Sequence, residues 1–373
     1  MVDRFTPSRR TLLKLTGAGA AAGLLPSIGR AASSASGGAT PALIKAAQKE
    51  GRLNTIALPP DWANYGEIIA TYQKKYGVTI RNAAPDDSSA NELQSIRSLR
   101  GQSRGPDVVD VGPSFALTGV KEGLFQPYKV ATWDSIPDTM KDPGGLWYGD
   151  YFGLITFGVN RSVAKTAPKS WADLKKPEYK GMVSLNGSPL GAGAAFASVI
   201  AAALANGGSL DNIMPGIEYF AELSKLGNFN PSAATAASLV SGQTPVVVNW
   251  DYLNLAEEKK AKGMTQIDTI IPDDAKPYGA YYCQAISKYA PHPEAAKLWM
   301  EFIYSDEGQI LYLKGFAHPA RFSEMVKAGK IPQSLLASLP PAKPYSEALF
   351  ATDAQTKKAQ ALLSANWTKM VKA

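Results

Sequence analysis

The sequence predicts an α/β protein made of two lobes, and three observations carry that prediction. The chain has 373 residues, enough for two lobes that each bury a core without disulfide staples. Strand-like and helix-like segments alternate from about residue 53 to 320, as they do in βαβ units. No repeat or low-complexity linker separates the halves, so two lobes sharing crossing segments fit better than separate beads. A hydrophobic fraction of 45% and a charged fraction of 19% exclude a disordered or collagen-like chain.

The chain opens on an export signal. Pro7, Ser8, Arg9, Arg10, Thr11, Leu12, Leu13 and Lys14 form a paired-arginine region, followed by a Gly/Ala-rich apolar run over 15–28. That run is shorter than the ~20 residues that span a bilayer. Small residues at Ala31, Ala32 and Ala35 offer cleavage positions, so 1–32 reads as a twin-arginine signal peptide, with a signal anchor as the alternative. Gly17, Gly19 and Gly23 lie inside it with no preceding strand, which excludes a dinucleotide-binding reading.

A Ser/Gly/Ala-rich leader at 33–40 precedes the first βαβ unit. Its strands are expected at 53–57 and 78–81; between them Tyr65, Ile68, Ile69 and Tyr72 mark one face of a helix. Further strands are expected at 107–111 and 154–159. In the middle section a strand at 182–185 leads through the turn at Ser188, Pro189 and Gly191 into an Ala-rich helix over 194–205. Strands follow at 245–249, 267–271 and 281–286. The tail is expected to be mostly helical, beginning near Pro293 with the apolar face Leu298, Trp299, Phe302 and Ile303.

Net charge is +7, but 1–32 contributes five cations against one acid, which leaves +3 for the remainder. Without a basic stripe interleaved with aromatics, nucleic acid is excluded as a partner. Cys283 is the single cysteine, so an internal disulfide is impossible; in a strand-like run it reads as core rather than nucleophile. His292 and His318 lie beside prolines and read as surface or structural. There is no H-E-x-x-H, G-x-S-x-G or phosphate loop, and the adjacent acids Asp86 with Asp87 and Asp273 with Asp274 form no evident acid/base couple. A binding protein is expected, with an exported enzyme as the alternative.

Five phrases, in order, carry a resemblance: YGEIIATYQKKYGVTI at 65–80; GPDVVDV at 105–111 with GVKEGLFQ at 119–126; FGLITFGVN at 152–160; SWADLKKPEYKG at 170–181; and PHPEAAKLWMEFIYSDEGQ at 291–309. From about residue 43 onward the chain resembles periplasmic solute-binding proteins of ABC importers, in the cluster of polyamine and ferric-iron binders. The resemblance implies a type II periplasmic binding fold: two α/β lobes, two crossover strands and a ligand cleft between the lobes that closes by hinge motion. The crossings are expected at 154–159 and 277–284. Lobe 1 is then expected to comprise 41–155 plus 285–373, and lobe 2 to comprise 156–284. The implied partner is a permease of the inner membrane, and the protein is expected to be a periplasmic monomer without cofactor or metal.

The resemblance also points to site residues. Trp62 and Tyr65 match the W-x-x-Y spacing of the polyamine binders, and aromatic faces attract cations; the alternative is that both rings pack the lobe. Near the second crossing the polyamine family carries a carboxylate, where this chain has the run Tyr281, Tyr282, Cys283, Gln284. Ferric binders use adjacent tyrosines where this chain reads Asn249, Trp250, Asp251, Tyr252, a thin donor set for iron.

A bipolar site remains. In it Asp251 accepts an ammonium group and the turn containing Ser188 and Gly191 presents a helix start to an anion, the alternatives being a capping acid and plain turn chemistry. Asp61 offers another carboxylate, and Ser114 and Asn249 offer hydroxyl and amide contacts. The expected ligand is a small amine-bearing solute such as a diamine, an amino acid or an aminoalkylphosphonate, with ferric iron as the alternative.

Overall fold

The computed structural model describes residues 38–372, so the export signal expected at 1–32 lies outside the described residues. Helix α1 (Pro41–Glu50) starts where the Thr40 hydroxyl accepts the Leu43 N–H at 3.2 Å. The expected βαβ unit follows as parallel strands β1 (Arg52–Ile56) and β2 (Thr79–Ala83) joined by α2 (Tyr65–Tyr76). Tyr65, Ile68 and Tyr72, three of the four residues that predicted the helix, are its buried face. Next come α3 (Ser89–Ser98), β3 (Val108–Val111), α4 (Pro113–Lys121) and β4 (Phe125–Gln126).

β5 (Tyr148–Asn160) joins two parts of one larger sheet. Its first half pairs antiparallel with β9 (Gly279–Ser287), and from Ile155 onward it pairs with β7 (Val246–Trp250) and β8 (Ile267–Ile270). The strand path is β3-β9-β5-β7-β6, with β6 (Val183–Leu185) parallel to β7. Twelve of the thirteen β5 residues are buried, as expected for a strand covered on both faces. The register of β5 against β9 shifts between Gly149 and Phe152, an irregularity of the kind that re-aims side chains, here those of Asp150 and Tyr151. The chain returns between β8 and β9, where the Ile155 N–H donates to the Tyr278 carbonyl at 3.0 Å.

Around β6 to β8 lie α5 (Gly193–Ala205), α6 (Met214–Leu226), α7 (Ala236–Ser241) and α8 (Asp251–Ala261). The tail holds α9 (Pro293–Ile303), α10 (Asp306–Lys314), the short β10 (His318–Pro319), α11 (Phe322–Lys327), α12 (Gln333–Leu336), α13 (Ala342–Glu347) and α14 (Asp353–Met370). All four residues of the predicted α9 face are fully buried, and Trp299 packs edge-on against Tyr72 of α2 with centroids 5.4 Å apart.

α14 packs against both α4 and α6, and Trp367 meets the ring of Phe220 at 5.7 Å. The tail therefore touches helices from both parts of the sheet. Cys283 is buried in β9, where burial pushes its thiol pKa up and makes it inert. The imidazole of His292 sits 2.9 Å from the Asp107 carboxylate. Among the described residues, no helix is long and apolar enough to cross a membrane.

Candidate ligand-binding site

A cavity of ≈ 580 Å³ lies where the two parts of the sheet face each other. One side is made by the segment that leaves β1, the start of α3 and Asp110 of β3. The other comes from the segments leading into α5 and α7, Asn249 of β7 and the inner face of α8; Tyr282 of β9 closes the cavity between them. Residues beyond the carboxyl ends of β1, β6 and β7 thus form the lining, the usual place for a ligand in α/β sheets. The segment after β1 holds Ala57, Ala63 and Asn64 at φ 56°, 46° and 68°, left-handed backbone that non-glycine residues seldom adopt. It presents Asp61 and Trp62 to the cavity.

The floor is an acid and tyrosine network. An acidic residue inside the buried strand Val108–Val111 must find partners, because an unpaired carboxyl away from water is costly. Asp110 Oδ2 accepts from the Tyr65 hydroxyl at 2.7 Å and from the Tyr151 hydroxyl at 3.0 Å, and Trp62 Nε1 donates to Tyr151 at 2.6 Å.

Beneath it, Asp150 Oδ2 accepts from Tyr312 at 3.0 Å and from Gln284 Nε2 at 3.2 Å. Glu92 Oε2 accepts the Asp110 backbone N–H at 2.9 Å. Burial raises the pKa of Glu92, Asp110 and Asp150, and the neighbouring Asp150 charge raises Asp110 further. Asp110 Oδ1 and Asn249 Oδ1 are buried and accept no hydrogen bond, although both residues line the cavity.

Aromatic rings form the adjoining wall. Trp62 meets Tyr282 edge-on at 5.6 Å and Tyr252 at 6.1 Å, while Tyr282 stacks on Tyr151 at 5.8 Å. The two edge-on contacts suit the ring quadrupoles.

Of the expected site residues, Asp61, Trp62, Asn249 and Tyr282 share this lining. The side chain of Asp61 is largely exposed and paired with Lys260 at 2.8 Å. Tyr65 lies below the cavity, fully buried, because its hydroxyl serves Asp110. Gln284 is also fully buried: its Nε2 bonds Tyr65 and Asp150, and its Oε1 accepts from Trp299 Nε1 at 3.2 Å.

Asp251 is turned away from the cavity. Its Oδ1 accepts the Leu154 N–H at 2.9 Å and its Oδ2 accepts the Tyr345 hydroxyl, so the expected ammonium acceptor is occupied as a tie between α8, β5 and α13. Ser114, Trp250 and Tyr281 border a separate water-sized pocket of ≈ 20 Å³, which Tyr282 also lines. Ser188 is exposed outside the lining. Gly191 accepts the Ala90 N–H through its carbonyl at 3.4 Å, joining the turn before α5 to α3.

Glu92, Asp110, Asn254 and Glu257 line the cavity and were not anticipated. For Asp110 the signal was present, since it is a lone acid inside the apolar run Val-Val-Asp-Val. Nothing local marks the other three.

Residues 103–336 match the family model described as bacterial extracellular solute-binding protein, and the chain belongs to that family. It is 27% identical over 201 residues to an uncharacterized protein of Haemophilus influenzae, and 31% identical over 150 residues to a probable ABC transporter periplasmic-binding protein of Sinorhizobium fredii. These matches cover 52% and 38% of this chain but only 56% and 40% of the relatives' own lengths. A putative 2-aminoethylphosphonate-binding periplasmic protein of Salmonella typhimurium is 26% identical over 245 residues, 64% of this chain and 68% of that one.

The fold is shared with the periplasmic binding protein AfuA of Actinobacillus pleuropneumoniae, whose structure holds fructose-6-phosphate. There the TM-score is 0.69 at 19% identity, covering 86% of this chain and 99% of that one. The two-lobed type II periplasmic binding fold and the family resemblance read from the five phrases are thereby borne out.

Proposed function

We propose that this protein is the extracytoplasmic substrate-binding component of an ABC importer. It captures a small amine-bearing solute, without turning it over, by closure of the two lobes, and delivers it to a membrane permease. Export through the twin-arginine pathway is part of this reading and rests on Arg9, Arg10 and the short apolar run that follows them.

One observation carries the ligand class. Six carboxyl side chains line the cavity (Asp61, Asp86, Asp87, Glu92, Asp110 and Glu257), with no lysine or arginine in the lining. With the faces of Trp62 and Tyr282, that charge pattern suits a cation. Residues Ala192 and Gly193 in the lining open α5, whose start has no side-chain cap, so its backbone N–H groups favour an acidic group at the other end of the solute.

A short bipolar molecule, an aminoalkylphosphonate or an ω-amino acid, meets both requirements. The name carried by the Salmonella relative supports the phosphonate.

Calorimetry of ligand-free protein should show saturable 1:1 binding of 2-aminoethylphosphonate, a short ω-amino acid or a diamine. Binding of ferric iron or of an amine-free sugar phosphate, with none of these amines, rejects the ligand class. Catalytic consumption of the bound solute rejects the transport reading.

A further inference from the structure

The carboxylates of the lining are not equivalent. The side chain of Asp61 is 66% exposed and paired with Lys260, and Glu257 shares that same lysine at 3.2 Å. Asp87 Oδ1 accepts from Asn91 at 2.6 Å, and Asp86 is exposed. Glu92 Oε2 is held by the Asp110 backbone. Asp110 alone among them is more than nine-tenths buried and also keeps one carboxyl oxygen without a hydrogen-bond donor.

Its other oxygen is fixed by two tyrosine hydroxyls, one of them held in turn by Trp62. The carboxyl is therefore anchored through one oxygen, and the other is buried in the lining without a donor. From the opposite side Asn249, also more than nine-tenths buried, brings a second unmet oxygen to the same cavity. Two unmet acceptors call for a donor with several N–H groups, and a primary ammonium has three.

We propose that Asp110 Oδ1 and Asn249 Oδ1 form the receptor for the solute's ammonium group, so that one lobe supplies the charge and the other completes the shell. This rests on the amine-bearing reading above. The charged ammonium strengthens both hydrogen bonds in a site from which water is excluded. An amine-free analogue leaves both oxygens unpaired, which makes the receptor selective as well as attractive.

Burial raises the Asp110 carboxyl pKa, the Asp150 charge acts in the same direction, and a bound ammonium lowers it again. Loading therefore shifts Asp110 toward its ionised form. The groups facing it are Glu92 of α3, Tyr65 of α2, Asp150 and Tyr151 of β5, Tyr252 of α8, Tyr282 and Gln284 of β9 and Tyr312 of α10. None of these is a cation, so the incoming amine is the first positive charge that Asp110 meets.

The test uses 2-aminoethylphosphonate and its amine-free counterpart, ethylphosphonate, with calorimetry in two buffers of different ionisation enthalpy. Wild type should bind the amino compound more tightly, and should release more protons with it than with ethylphosphonate. Asp110→Asn should lose about 30-fold or more in affinity for the amino compound, with ethylphosphonate changed by less than about threefold and the difference in proton release abolished. Asn249→Ala should reduce the amine preference by about tenfold.

If wild type and Asp110→Asn bind the amino compound alike, the receptor assignment is overturned while the amine-bearing reading stands. If wild type prefers ethylphosphonate, the amine reading fails and the receptor falls with it; if it binds neither, the same comparison with a short ω-amino acid and its amine-free acid decides on the same terms. Should Asp110→Asn not fold, Asn249→Ala decides: an unchanged preference for the amino compound over ethylphosphonate overturns the assignment.

Discussion

The two sides of the cavity are built on opposite principles. Its floor and the β1 side concentrate buried titratable groups, Glu92, Asp110 and Asp150, locked by the tyrosines of α2, β5 and α10. The side formed by α7, β7 and α8 offers mainly neutral groups, Asn249 and Asn254 among alanines and Leu253, with Glu257 as its one carboxyl in the lining. Its one buried aspartate, Asp251, is spent on holding α8 to β5. Buried acids are therefore concentrated on one side, and amides and small apolar groups on the other.

The largest effect that tests this contrast is a pH dependence away from the cavity. Burial raises the Asp251 carboxyl to about 6, so the folded state binds the extra proton between the ordinary carboxylate range and that value. Stability from this group is lost as pH rises from about 4 to 6, by about 3 kcal/mol, and Asp251→Asn should remove that slope in urea titrations. His318, whose imidazole is pushed by burial down to about 4, acts in the opposite sense: its contribution is lost as pH falls from 6.5 toward 4. His318→Gln should flatten the acid limb instead. Slopes of the same sign for the two variants would break the comparison.

Next in size, Trp62→Ala removes the ring beside Tyr282 and the donor to Tyr151, and should weaken binding of an amine by about 2 kcal/mol, roughly 30-fold by calorimetry. Tyr65→Phe withdraws one of the two hydroxyls that fix Asp110. It should cost about 1–2 kcal/mol in urea unfolding, with a further rise in the Asp110 pKa that weakens amine binding more at pH 6 than at pH 8. Equal loss at both pH values would show that the hydroxyl only packs.

The smallest effect is expected on the neutral side. Thr235→Ala breaks the capping box of α7, in which Thr235 Oγ1 accepts the Ser238 N–H at 3.1 Å, and should cost about 1 kcal/mol of stability with less than a threefold change in amine affinity.

The same contrast explains what the sequence disclosed. Periodicity placed the βαβ unit, the strand carrying Asp110 and the face of α9, because alternation and apolar spacing are local properties. Trp62 was legible through the W-x-x-Y spacing of the resemblance, and Asn249 because it stands near the end of a strand. Asp251 stands in the same kind of place, yet its fate depended on Tyr345, about a hundred positions later in the chain and invisible to local pattern. Tyr65 and Gln284 were expected among the ligand-binding residues, with packing of the lobe as the alternative for Tyr65. Their role beneath Asp110 arises from the register shift in β5, which turns Asp150 and Tyr151 toward partners on four other elements.

α14 has its own consequence. It rests on α4 and α6 together, like a clasp over a purse, and Trp367 is seated on Phe220. Any relative movement of α4 and α6 must therefore also move or release α14. This eighteen-residue helix contributes nothing to the cavity lining, yet it ties together helices from both parts of the sheet.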